Sequence, residues 1–104
     1  MVTPEMLLFL AERMGLPNPC IINGGRESPI AWTAGSEFNP ATDDAQFGRL
    51  VVWALQEDIK LERVGCEIVA LHYSEYRVDH DSTPDSIRAA AVVAVCRALG
   101  WEGT

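Results

Sequence analysis

Lysine is almost missing from this chain: Lys60 is the only one among 104 residues, and seven arginines complete a basic total of 8 against 15 acids. A net charge of −7 disfavours the basic face needed to neutralise nucleic-acid phosphates, so no direct nucleic-acid binding is expected. Cysteine is scarce and odd in number. Cys20, Cys66 and Cys96 show no Cys-x-x-Cys spacing, which points to reduced thiols in a cytoplasmic compartment rather than a disulfide framework. Long apolar runs are also lacking. The richest stretch is interrupted at Arg88 and Arg97 and falls short of the ~18 residues of a membrane span. The N-terminal stretch has no basic n-region and carries Glu5, so no secretory signal is expected. What is present is an ordinary globular composition, 48% apolar and 22% charged, in a length suited to one domain over residues 1–104.

The strongest local signal is the last helix. Thr83 is a candidate N-cap, Pro84 suits the first helical position, and Asp85 places negative charge in the first turn. Gly100 supplies a left-handed residue past the end. Ile87, Ala89 to Cys96, Ala98 and Leu99 leave no wide polar stripe, and Arg88 and Arg97 fall on opposite faces. This helix, over 83–99, is the expected packing spine.

Thr3-Pro4-Glu5 repeats the same start signal, and Leu7, Leu10, Ala11 and Met14 follow at helical spacing until Gly15-Leu16-Pro17 stops the helix. Helix one is therefore expected over 3–14. Asp43 and Gln46 have capping-box spacing, and Phe47, Leu50, Val51, Ala54, Leu55 and Leu61 form an apolar side that predicts a second helix over 43–62. Gly65 is its expected stop. Short strands are expected at Cys20–Ile22, Ile30–Thr33 and Tyr76–Val78, and the best strand spans Cys66–Tyr73 with two fairly apolar faces. Asn23-Gly24-Gly25 reads as a turn, and Gly24-Gly25-Arg26 lacks the strand and lysine context of a phosphate loop. The predicted fold is α+β, a short antiparallel sheet of about three or four strands packed by three helices.

Catalytic signatures do not assemble. Asp79-His80-Asp81 resembles a ligand cluster, but neighbours in an extended chain point to opposite sides, so a solvated acidic loop is expected and no metal. His72 reads as a half-buried strand residue, and Cys66 and Cys96 as small buried hydrophobes. With no nucleophile–base set and no paired acids at catalytic spacing, the chain reads as a non-enzyme without cofactors.

The segment Pro40-Ala41-Thr42-Asp43-Asp44-Ala45-Gln46, the strand after Gly65, and Ser82-Thr83-Pro84-Asp85-Ser86-Ile87-Arg88-Ala89-Ala90 with Cys96-Arg97-Ala98 resemble bacteriophage proteins of the phage ABA sandwich-domain type over about residues 32–100. In that family a P-x-T-D-x-A helix start and a T-P-x-x-I-x-x-A final helix bracket an antiparallel sheet. The resemblance implies a layered α+β fold and a phage or prophage source, and it carries across no catalytic residue. This chain departs from the pattern in its N-terminal helix and its acidic Ser74–Asp81 connection.

The functional expectation is an inhibitor of a bacterial defence component, similar to anti-CRISPR proteins in size and acidity and acting in the host cytoplasm. Glu75, Asp79, Asp81 and Asp85 form an acidic segment with Tyr76 as aromatic anchor, suited to a Lys/Arg groove on a bacterial host protein or ribonucleoprotein complex. Two other readings are a sponge for an anionic nucleotide, using Arg26, Arg49 and Arg77 with Trp32 or Trp53, and an accessory phage protein working as a homo-oligomer such as a homodimer. No membrane partner is expected.

Overall fold

The computed structural model describes residues 2–23 and 29–102. Among these residues three helices, α1 (Pro4–Arg13), α2 (Asp44–Gln56) and α3 (Pro84–Ala98), accompany two antiparallel sheets. The first contains β1 (Cys20–Ile22), β2 (Ile30–Thr33) and β3 (Ser36–Glu37); the second contains β4 (Lys60–Val64), β5 (Glu67–His72) and β6 (Ser74–Asp79). The α+β class stands, with two three-stranded sheets in place of one.

α3 is the spine. Thr83 accepts a hydrogen bond from the Ser86 amide, Pro84 occupies the first turn, and every residue from Ala90 to Cys96 is buried. It packs on β5 and β6 and also meets α1, which in turn covers β1 and β2. At its end Gly100 takes φ 99°, and the Trp101 and Gly100 amides donate to the Cys96 and Arg97 carbonyls. That pair of bonds is a Schellman closure. α1 ends the same way, through Gly15 and Leu16.

α2 is shorter than the apolar pattern predicts, because its closure uses an aspartate. Asp58 adopts φ 61°, its amide donates to Leu55, and the Ile59 amide donates to Ala54. A left-handed aspartate is tolerated where glycine is usual, so the helix stops nine residues before its expected boundary's glycine, at Gln56 rather than near residue 62. Lys60 to Glu62, read as the end of the helix, belong instead to strand β4 (Lys60–Val64). Gly65 serves the β4–β5 hairpin: it has φ 60° while Cys66 does not take positive φ, the sign pattern of a type II′ turn. Ala34 and Gly35, both at positive φ, form the type I′ link between β2 and β3 that adds the unexpected third strand.

The Asp43–Gln46 capping box is half made. Asp43 accepts from the Gln46 amide, but the Gln46 side chain accepts from Asn39 N–H and donates to the Glu37 carbonyl, tying α2 to β3. The Gly24-Gly25-Arg26 turn lies outside the described residues.

The cysteines divide by environment. Cys96 is fully buried, and desolvation pushes its thiol up to about 12. Cys66, expected to be buried, is exposed in the β4–β5 turn, and Cys20 is exposed as well. A chromogenic aromatic disulfide at neutral pH is therefore expected to modify two thiols in the native protein and the third only in denaturant. Three fast thiols would contradict the burial of Cys96.

Candidate interaction surface

The β4–β6 sheet has two unlike faces. Leu61, Ile68, Ala70, Tyr76 and Val78 share the face that joins the core. Lys60, Glu62, Val64, Glu67, Val69, Leu71, Glu75, Arg77 and Asp79 share the other, where most side chains are exposed. Val69 is 2% exposed on this open face, between its register partners Glu62 and Arg77. Long charged side chains roof such a residue with their aliphatic stems.

The five residues expected to bind a partner are split by this arrangement. Glu75 and Asp79 lie on the open face, as the alternation of β6 requires. Tyr76 lies on the opposite face, half-buried and packed against the core, which takes it away from those two acids. Asp81 and Asp85 belong to the entrance of α3. Asp81 accepts from the Thr83 amide and hydroxyl at 3.0 and 2.7 Å. Those bonds, the hydroxyl's first, hold the exposed Asp81 carboxyl below the usual range. Asp85 is ion-paired with Arg88.

Charge on the open face is partly neutralised from within. Arg77 reaches Glu67 at 3.1 Å and Glu75 at 3.0 Å, and the Glu75 and Glu67 hydrogen bonds raise its pKa. Glu67 and Asp79 are direct cross-strand neighbours, a like-charge pairing that opposes the sheet. Glu62, opposite Val69 on β4, is on the same face. The face thus carries Glu62, Glu67, Glu75 and Asp79 against Lys60 and Arg77. Glu62 and Glu67 escaped the sequence reading because one was assigned to a helix and the other counted only as part of an apolar strand.

His80 is not in a solvated loop. It is 8% exposed, its amide donates to the Cys66 carbonyl, and its Nδ1 accepts from the Ser82 amide at 3.0 Å. Nε2 is buried and has no hydrogen-bond partner among the described residues. Among the described residues no three His, Cys, Asp or Glu side chains converge as a metal site would require. No helix among them is long and apolar enough to cross a membrane.

Two arginines of the nucleotide reading, Arg49 and Arg77, belong to different elements, α2 and β6. Arg77 is committed to two carboxylates, Arg26 lies outside the described residues, and Arg49 stands at a cavity of about 80 Å³ reached from α2. Trp32 and Trp53 are both half-buried, with Trp53 packed on the core.

The hairpin tip next to the open face lies one residue before the turn that Ser74-Glu75 suggests between the two strands. Tyr73, read as a strand residue, is the single residue between the paired His72 and Ser74; it has φ 65° and is 101% exposed. Ser74 is the turn residue that the sequence offers here, and no glycine, asparagine or aspartate marks position 73 as the left-handed one. The chain matches no protein-family model, no curated protein and no solved structure.

Proposed function

We propose that this chain is a non-enzymatic, phage-encoded inhibitor that binds a bacterial defence complex and covers a basic surface meant for nucleic acid. The observation that carries the reading is the open face of β4–β6, where four carboxylates outnumber two cations among the described residues and most side chains are exposed. Glu67 and Asp79 remain opposite one another although like charges there weaken the pairing. A basic partner turns that repulsion into attraction. An excess of negative charge also steers encounter with a basic partner and slows encounter with nucleic acid. Cysteine usage supports action in a cytoplasmic compartment.

The test is competition against target DNA for purified, guide-RNA-loaded bacterial effector complexes. The wild-type chain is expected to bind one of them and displace the duplex, with affinity falling as salt rises. Glu75→Lys with Asp79→Lys should weaken binding about tenfold or more and flatten the salt dependence. Unchanged affinity in the double variant removes this face from the reading. Absence of binding to every complex tested removes the reading itself.

A further inference from the structure

We infer that Tyr73 is the aromatic anchor of this docking surface, entering an apolar cleft rimmed by lysine and arginine on a nucleic-acid-binding protein. The inference rests on the function proposed above and supplies the contact which that reading otherwise lacks.

Cross-strand register leaves one residue to reverse the chain between β5 and β6, and that residue sits at φ 65°. Glycine and asparagine enter this region readily, whereas a bulky aromatic residue there is an outlier. Burial does not offset the strain, because the side chain is 101% exposed. Among the described residues its ring contact is the edge of His72, with centroids 4.6 Å apart. The fold therefore holds a large side chain at an unfavourable backbone position and gains almost no packing from it. Residues held in this way cluster at ligand clamps and binding sites.

The surroundings say what kind of partner suits the ring. At its base lies an open cleft of about 330 Å³, lined also by Asp58, Leu71, His72 and Glu75. Leu71 gives that cleft an apolar element, and Asp58 and Glu75 place carboxylates on it. Asp58 comes from the α2 closure and Glu75 from the open sheet face, so the tip is continuous with the acidic surface. A tyrosine ring contributes large apolar area at an interface while its hydroxyl still reaches a polar rim. Carboxylates on either side select cations around the receiving cleft.

Tyr73→Asn separates the two roles a residue here can play. Asparagine accepts left-handed backbone, so the melting temperature should hold or rise. Affinity for the effector complex that binds the wild type should fall about 30-fold, as for an interface hot spot, while Tyr73→Phe should keep most of it. Equal binding by Tyr73→Asn and wild type, with Glu75→Lys/Asp79→Lys still impaired, would overturn the anchor and leave the proposed function standing. A fall in melting temperature large enough to account for the lost binding would also overturn it. If no effector complex binds the wild type, both fall together.

Discussion

Leu50→Ala is expected to lower the free energy of unfolding by about 3 kcal/mol, read as a shift of the urea midpoint at unchanged slope. Leu50 is fully buried and belongs to the same apolar cluster as Leu10, Val92 and Val95. Its removal sacrifices transfer free energy and leaves a cavity that helix α2 cannot close without losing its position. Against a typical total of about 5–15 kcal/mol, such a loss is a large share of the stability. Leu55→Ala on the same helix is the control. Leu55 is 58% exposed, and its truncation should stay within about 0.5 kcal/mol. Similar losses at both positions would contradict the assigned faces of α2.

The second large effect concerns Arg88, where α3 is joined to the start of α2. Its Nε donates to the Ala41 carbonyl at 3.2 Å, and its guanidinium pairs with Asp44 at 2.7 Å and with Asp85. The arginine side chain is 17% exposed, but both carboxylates are largely in solvent. The ion pairs are therefore screened and contribute little. The main losses in Arg88→Ala are the bond to Ala41 and the packed aliphatic stem, about 2 kcal/mol together. Arg88→Met keeps the stem and should recover roughly half of that. If 1 M salt alone weakened the wild type as much as Arg88→Ala does, the ion pairs would be the dominant part and this ranking would be wrong.

Arg88 also marks how far a linear reading reaches. Helical periodicity placed it opposite Arg97, and Arg97 is indeed exposed at the far end of α3. Periodicity had no means of finding Ala41 and Asp44, which are 47 and 44 residues away. The acidic segment behaves similarly. Glu75, Asp79, Asp81 and Asp85 are close in sequence, yet the pleat of β6 and the entrance of α3 send two to the open sheet face and two to capping and pairing at the helix. Tyr76 shares their segment but turns inward, because successive residues of a strand face opposite ways.

Local chemistry in the sequence determined both proline-led helix starts, the glycine closures at Gly15 and Gly100, the burial of α3 and the central place of the strand after Gly65. Each depends on residues within one or two turns of one another, so the chain encodes it without reference to the rest of the fold. The end of α2 was not legible, since its left-handed closing residue is Asp58 and not a glycine, and the residues after it join a sheet as β4. Tertiary structure decided that His80 is buried, that Cys66 is exposed, and that Glu62, Glu67, Glu75 and Asp79 share a surface. Cross-strand register and packing across the chain set those outcomes, and neither is visible from one segment alone.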